Sequence, residues 1–214
     1  MRDFSQYKQI IFDCDGVILD SNNIKSNAFA KSLIDEDKQL VDQFIIYHKK
    51  NGGVSRFKKF EYFFKKIKKQ KNYTNSLNNA LSSYAALSYE GLLDSSEVKG
   101  VRSILILLKD LNIDCFVVSG GEQNEVREVF KKLHLDHYFK KIYGSPISKE
   151  EHLLTIKPKK SLYFGDAKSD YIAAKNFNMD FVYISSVSDW EDGIEFCQSN
   201  NVEILKDFSD LYLK

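Results

Sequence analysis

The stretch Q-I-I-F-D-C-D-G, residues 9–16, joins a short apolar run to two aspartates and a glycine. An apolar run without polar alternation is typical of a strand that is covered on both faces of a parallel sheet. Side chains two positions apart in an extended segment point the same way, so Asp13 and Asp15 can converge on one site. Ligands of open α/β sheets bind beyond the carboxyl ends of the strands, which predicts a site here; aspartates that only cap a turn before Gly16 are the alternative.

Four later apolar runs have the same character, and helical patterns lie between them. The predicted strands are residues 9–13, 114–119, 141–144, 161–165 and 180–184, and the predicted helices are residues 101–111, 122–133 and 170–177. Strands that alternate with helices predict a parallel α/β sheet. Residues 21–96 contain no strand pattern and predict several helices. The expected fold is α/β: a Rossmann-like parallel sheet core flanked by helices, residues 1–17 and 97–214, with an inserted α-helical domain, residues 18–96.

Composition and charge exclude several classes of protein. The chain has 214 residues, with 31 basic and 30 acidic side chains, and its net charge of +1 gives no global attraction to nucleic acid or anionic membranes. It shows neither a secretory signal nor an apolar run near the roughly 20 residues of a membrane helix. Cys14, Cys115 and Cys197 are widely spaced without a C-x-x-C pair, so neither a disulfide framework nor a zinc site is expected. We expect a cytoplasmic protein with no nucleic-acid or membrane partner; the oligomeric state is open, with a monomer favoured.

A hydroxyl and two glycines end the second predicted strand. Ser119, Gly120 and Gly121 precede a helix, and a hydroxyl with free backbone N–H groups at a helix N-terminus can bind a phosphate. The alternative is that Ser119 caps that helix. Because residue 117 is Val, the nucleophile pattern G-x-S-x-G is absent, and Ser119 is expected to bind rather than attack.

Two more carboxylates follow the fourth predicted strand. Asp166 and Asp170 are four residues apart, so at a helix start they can share a face and bind one cation; capping by Asp166 is the alternative. Independent capping poorly explains acids and a serine at the ends of three strands. Oxygen donors without nearby His or Cys favour Mg²⁺ over zinc, and Mg²⁺ between carboxylates implies a phosphate substrate.

A lysine is expected to balance the charge of that phosphate. Lys149, which follows the third predicted strand, is the preferred candidate, and a solvated surface lysine is the alternative interpretation. The rival candidates are Lys157, Lys159 and Lys160.

Four short motifs of this chain resemble, in order, those of the haloacid dehalogenase-like hydrolases. They are D-C-D-G-V (13–17), V-V-S-G-G (117–121), S-P-I-S-K (145–149) and G-D-A-K-S-D (165–170). The resemblance covers the whole chain and includes the α-helical cap that the family inserts after the first motif. We call residues 18–96 the cap.

The resemblance also implies a role for each motif residue. Asp13 would be the nucleophile and Asp15 the general acid/base, with Ser119 as a phosphate ligand. Lys149 would stabilise the phosphoryl group and the nucleophile. Mg²⁺ would be held by Asp13, Asp166, Asp170 and the backbone carbonyl of Asp15.

The second aspartate of the first motif narrows the reaction. The dehalogenase branch of the family lacks it, so Asp15 points to phosphoryl chemistry. The implied activity is a Mg²⁺-dependent phosphatase that hydrolyses a small phosphorylated metabolite, such as a sugar phosphate, through an aspartyl-phosphate. Two alternatives stay open: a phosphomutase of the same superfamily, and a non-catalytic module that binds a phosphate ligand.

Residues 49–71 form a basic segment within the cap. They contain ten basic side chains and one acidic side chain, Glu61, a local charge of +9 that leaves −8 for the rest of the chain. The expected arrangement is a solvated basic face on a helix whose Phe57, Phe60 and Phe64 pack in the core; steering of an anionic substrate is the alternative. Arg56 is the cap residue expected to contact substrate. The four histidines show no metal-site spacing and receive no role.

Overall fold

A six-stranded parallel sheet forms the centre of the protein, which is described by a computed structural model over residues 3–156 and 160–212. Its strands are β1 (Gln9–Phe12), β2 (Asp114–Glu122), β3 (Lys141–Ser145), β4 (Ser161–Gly165), β5 (Asp180–Ile184) and β6 (Glu203–Leu205). The strand order is β3-β2-β1-β4-β5-β6, with every neighbouring pair parallel. The prediction of a Rossmann-like α/β core is confirmed.

Helices cover both faces of the sheet. Within the described core they are α5 (Val101–Asp110), α6 (Gln123–Lys132), α7 (Lys149–Thr155), α8 (Lys168–Asn176) and α9 (Gly193–Ser199), with 3-10 turns at Asp136–Tyr138 and Phe208–Tyr212. Ile10 and Phe12 belong to one hydrophobic cluster and Ile11 to a second. Because successive strand side chains point to opposite faces, β1 is apolar throughout and holds both layers of helices.

The cap is helical, as expected, and has an aromatic core of its own. Its helices are α1 (Asn22–Lys31), α2 (Lys38–Lys50), α3 (Arg56–Tyr62) and α4 (Thr74–Leu93), and a π-helical turn, Phe63–Ile67, extends α3. The rings of Phe29, Phe44, Phe60, Phe63 and Tyr84 pack together there. This cluster lets the cap bury apolar surface without the sheet.

The basic segment differs from its prediction on α3. The buried positions are Arg56, Lys59, Phe60, Phe63 and Phe64, which follow the helical spacing i, i+3, i+4, i+7, i+8. Phe57 lies outside this stripe and is 37% exposed, so its predicted place in the core is wrong. The predicted solvation is also wrong for Arg56 and Lys59, because the same stripe turns both cations inward.

Candidate active site

The carboxyl end of β1 presents Asp13 at the centre of the sheet. Asp13 is buried, and its backbone N–H donates to the carbonyl of Phe164 at 2.9 Å, which ties the end of β1 to β4. Gly16 follows with φ +74°, and a Cβ there would lie 2.1 Å from Asp166 Oδ2. Only glycine therefore lets the turn after β1 approach the end of β4 so closely.

Three acids from two distant parts of the sequence meet at this point. One carboxylate oxygen each of Asp13, Asp166 and Asp170 lies within 4.8 Å of the others, and all three residues are buried. Asp166 follows β4, and Asp170 lies in the first turn of α8. The N-cap of α8 is Ala167, so the capping alternative for Asp166 is wrong. We call these residues the acid cluster.

Lys149 contacts two members of the acid cluster. It is the first residue of α7 and is buried, with Nζ 2.9 Å from Asp13 Oδ1 and 2.6 Å from Asp170 Oδ1. A solvated lysine is therefore excluded at this position. The rival Lys160 instead donates to Gln6 Oε1 at 2.6 Å, and Lys157 and Lys159 lie outside the described residues.

The electrostatics of the acid cluster favour a bound cation. Burial raises the pKa of Asp13 to about 7, against the attraction of Lys149. Burial, together with the charges of Asp13 and Asp170, raises the pKa of Asp166 well above its usual value. One ammonium, that of Lys149, stands against three buried carboxylates and contacts two of them, so a divalent cation would balance the remaining negative charge of the ionised cluster. Oxygen donors without His or Cys fit Mg²⁺.

The carboxylate of Asp15 is bound by the cap and is not part of the acid cluster. It accepts hydrogen bonds from Ser21 Oγ at 2.6 Å and from Lys25 Nζ, both at the start of the cap. Burial would raise the pKa of Asp15, but the ammonium of Lys25 and these hydrogen bonds outweigh it, so the pKa is lowered. The side chain of Asp15 is therefore not one of the described carboxylates that could share one ion. The predicted binding of Mg²⁺ by the backbone carbonyl of Asp15 stays a prediction.

Ser119 and Gly120 lie at the adjoining end of the sheet. Ser119 is buried and its Oγ accepts from the N–H of Gly121 at 2.9 Å. The N-cap of α6 is Glu122, whose side chain accepts from Glu125 N, so the capping alternative for Ser119 is wrong. A Cβ on Gly120 would lie 2.2 Å from the carbonyl oxygen of Gly53 in the cap. The bare backbone of Gly120 thus permits cap and core to touch beside the predicted phosphate ligand.

A cavity of about 730 Å³ lies between cap and core. Asp13, Asp15 and Asp166 line its core side. Its cap side carries five cations, which we call the basic wall: Lys25, Lys49, Lys50, Arg56 and Lys59. The core side of the cavity, which would hold a metal and a phosphate, therefore faces the basic wall.

Arg56 lines this cavity but is already paired. Its Nη1 and Nη2 donate to Glu125 Oε2 and Oε1 at 2.7 and 2.6 Å, and Ser88 Oγ donates to the same carboxylate at 3.0 Å. Both side chains of the ion pair are less than one-tenth exposed. Arg56 joins cap to core in this structure, and its predicted contact with substrate stays a prediction.

Asn22 and Lys25 are site residues that sequence reasoning missed. Asn22 Nδ2 donates to Asp166 Oδ2 at 2.6 Å and to the carbonyl of Val187 at 2.9 Å. Lys25 lies one turn later on α1 and pairs with Asp15. The available signal was their spacing of three residues, which places both on one helix face directly after the first motif.

The described helices include none long and apolar enough to cross a membrane. No curated protein sequence matches the chain significantly. A profile of the haloacid dehalogenase-like hydrolase family, by contrast, matches residues 10–184.

Solved structures of similar fold cover nearly all of the chain. A predicted phosphoglycolate phosphatase from Haemophilus somnus has a TM-score of 0.76 at 20% identity, with 98% of each chain covered. A β-phosphoglucomutase from Clostridium difficile has a TM-score of 0.73 at 18% identity, covering 96% of this chain and 93% of that one. The protein described as HAD-hydrolase YfnB from Bacillus subtilis, bound to magnesium, has a TM-score of 0.62 at 16% identity, covering 92% and 100%.

At these identities the structural likeness establishes the fold, while the profile match spans both the cap and the motifs that meet at the acid cluster. The chain therefore belongs to the haloacid dehalogenase-like hydrolase family.

Proposed function

We propose that the protein is a Mg²⁺-dependent phosphatase that hydrolyses a small phosphorylated metabolite through an aspartyl-phosphate on Asp13. The observation that carries the proposal is the acid cluster, in which three buried carboxylates lie together and two of them, Asp13 and Asp170, contact Lys149. Mg²⁺ between carboxylates typically binds substrate phosphate, and in this site it would neutralise charge on the phosphoryl group. The magnesium-bound YfnB structure and the phosphatase among the structural neighbours support this assignment.

The residues around the cavity divide the chemistry between them. A carboxylate oxygen of Asp13 would attack phosphorus, forming a new P–O bond as the bond to the substrate alkoxide breaks. Asp15 would give the alkoxide a proton and then take one from the water that hydrolyses the aspartyl-phosphate, which returns Asp13. Ser119, Gly120 and Lys149 would bind the phosphoryl oxygens.

Lys25 acts on the protonation state of Asp15 and favours the second of these steps. Its ammonium holds Asp15 in the ionised form that the second step needs. The first step needs the protonated form, and the negative charge of an arriving phosphate raises the pKa of a nearby carboxyl.

Phosphate release from a panel of phosphate monoesters tests the proposal. Hydrolysis should require Mg²⁺ and disappear in Asp13→Asn, while Asp15→Asn should slow it by about 10²–10⁴. Removal of Mg²⁺ by a chelator should abolish activity, and added Mg²⁺ should restore it. Hydrolysis of a good ester by purified Asp13→Asn at the wild-type rate would refute the role of Asp13.

The same panel separates the alternatives. A phosphomutase would release little phosphate and would require a bisphosphate activator, an activity suggested by the β-phosphoglucomutase neighbour. A non-catalytic module would bind phosphate ligands without releasing phosphate. The cap boundaries at residues 18 and 96, the cytoplasmic location, the monomeric state and the lack of nucleic-acid or membrane partners stay predictions.

A further inference from the structure

Lys59 is a buried cation on the wall of the cavity, yet it contacts no carboxylate among the described residues. It is 3% exposed, and its Nζ donates to His48 Nδ1 at 2.7 Å and to the carbonyl of His48 at 3.3 Å. The other two buried cations of the basic wall are each paired, Lys25 with Asp15 and Arg56 with Glu125. A buried ammonium without an opposite charge is costly, so Lys59 needs an explanation.

The groups that hold Lys59 in place carry no charge. An ammonium can only donate, so His48 Nδ1 accepts, and the proton on Nε2 is then assigned to the hydrogen bond with Ser26 Oγ at 3.0 Å. Burial and the neighbouring lysines lower the pKa of His48 to about 2, which keeps its ring neutral. The ring of Phe29 lies 5.5 Å from Nζ. Ser26, His48 and Phe29 orient the ammonium but supply no opposite charge. Asp15 and Asp189 attract it from beyond contact distance, and each of them is already paired with another lysine, Lys25 and Lys49 respectively.

Lys59 also shares one cavity with the groups proposed to bind phosphate. Asp13, Asp166 and Gly120 line the core side of this cavity, and Lys59 lines the cap side with His48. A ligand whose phosphate lies on the acid cluster therefore has its remaining atoms in the space that the basic wall borders. An anionic group at the far end of such a ligand would supply the charge that Lys59 lacks.

We propose that Lys59 binds a second anionic group of the substrate, so that the substrates are phosphate esters that also carry a carboxylate or a second phosphate. This inference rests on the proposed phosphatase function and names its substrate class. Lys25 also lies on the basic wall but is paired with Asp15. Among the buried cations of the basic wall, Lys59 is therefore the one without a carboxylate partner, and it can bind an anionic group of the substrate. The proposal is consistent with a pKa of Lys59 lowered to about 7 by burial and by Lys25, since an anion would favour its charged form.

Calorimetric binding of phosphonates tests this site without depending on turnover, because their carbon–phosphorus bond is not an ester. We would use three ligands of equal chain length: propylphosphonate, phosphonopropionate and propylene bisphosphonate, together with their four-carbon homologues, all with Mg²⁺. The wild-type protein should bind at least one of the ligands that carry a second anionic group more tightly than it binds the alkylphosphonate of the same chain length. Comparison of the carboxylate and bisphosphonate members identifies which anion the site prefers.

Lys59→Met removes the charge and keeps a side chain of similar length. The affinity ratio of the preferred ligand to its alkyl counterpart should fall by about 10- to 100-fold, the range expected for one charged hydrogen bond. Lys66→Met is the matched control, because Lys66 is an exposed member of the same basic segment outside the cavity lining. It removes the same net charge and should leave the ratio unchanged.

Three outcomes would overturn the inference: no preference for a second anion in wild type, a preference that Lys59→Met retains, or an equal loss in Lys66→Met. Melting temperatures of both variants show that each is folded. Phosphate release from the matched esters is measured separately. A preference that depends on Lys59 without phosphate release would therefore support the anion site while refuting the phosphatase.

Discussion

Asp13 must be ionised to attack phosphorus, although its surroundings oppose the charge. Burial raises its pKa to about 7, against Lys149 and with the help of Asp170 and Asp15. An aspartate in an unfolded chain has a pKa of about 3.9. Between about pH 4 and pH 7, Asp13 keeps its proton in the folded protein but has lost it in the unfolded chain. The contribution of Asp13 to the free energy of unfolding therefore falls as the pH rises through this range.

The stabilisation of the protein by Mg²⁺ should therefore depend on pH. A cation in the acid cluster competes with the proton on Asp13, so the rise in Tm on adding Mg²⁺ should be small near about pH 5 and grow towards about pH 8. Thermal denaturation with and without Mg²⁺ measures it. The Asp13→Asn variant should lose the part of this pH dependence that Asp13 contributes, while Asp166, whose pKa burial also raises, keeps the rest. A rise in Tm of the wild type that is constant with pH would contradict the expectation.

Residues that belong to motifs were predictable one by one, whereas residues that approach the site from the cap were not. The structure brings Asp13, Asp166, Asp170 and Lys149 together as the sequence motifs predict. Lys59 was hidden because a basic run looks solvated until the phase of the helix is known. The positions of the residues that approach the site from the cap depend on how the cap helices pack, which short motifs do not encode.

The buried stripe of α3 determines which side chains the basic segment contributes to the cavity. Aromatic and basic residues follow one another without a break in this segment, so the sequence is compatible with several choices of buried helix face. Phe57 favours a face that differs from the one the structure buries. The structure selects the phase that buries Phe60, Phe63 and Phe64 and brings Arg56 and Lys59 inward. The packing of Phe63 against Phe44 thus helps to place two cations at the basic wall.

Alanine substitutions on α3 and its π-helical turn should distinguish the two phases. Phe63→Ala removes a fully buried ring and should lower the free energy of unfolding by about 3–5 kcal/mol. Phe57→Ala, the matched control on the exposed side, should cost less than about 1 kcal/mol. Urea denaturation of both variants measures the difference. Equal losses would indicate that Phe57 packs as tightly as Phe63.

Elements with strong local signals were predicted within a few residues, and those missed had weak or short signals. β5 has its predicted bounds, and β4 likewise agrees. β6 has three residues, Glu203–Leu205, too few to show a pattern against its polar surroundings. The sequence S-K-E-E at residues 148–151 does contain a capping box that marks the start of α7, with Ser148 and Glu151 bonded reciprocally.

Cap and core are joined by contacts beside the cavity. Arg56 pairs with Glu125 across the interface, and Ser169 Oγ donates to the carbonyl of Gly52 at 2.8 Å. Beside them the backbones of Gly53 and Gly120 approach too closely to admit a Cβ. These contacts hold the basic wall opposite the acid cluster.

Removal of the charge on Glu125 should loosen this interface. Glu125→Gln leaves the guanidinium of Arg56 buried without its counter-ion, and breaking a buried pair in this way costs about 3–5 kcal/mol. Amide hydrogen exchange should become faster at residues 52–56 and 119–121, as measured by mass spectrometry. Glu128→Gln is the control, because Glu128 is exposed on the same helix. Unchanged exchange in Glu125→Gln would show that the ion pair does not hold the cap closed.

The central position of β1 also sets an order of assembly during synthesis. Gln9 pairs with Asp114 on one side and with Ser161 on the other, so both neighbours of β1 emerge from the ribosome long after it does. The cap helices, which lie between β1 and β2 in the chain, contact one another over shorter sequence separations than β1 and its partner strands do, and such contacts form faster. The nascent chain can thus build its cap first and its sheet later. The proposed nucleophile, Asp13, is thus made well before Asp166 and Asp170, and its site is completed only when the segment that follows β4 has been made.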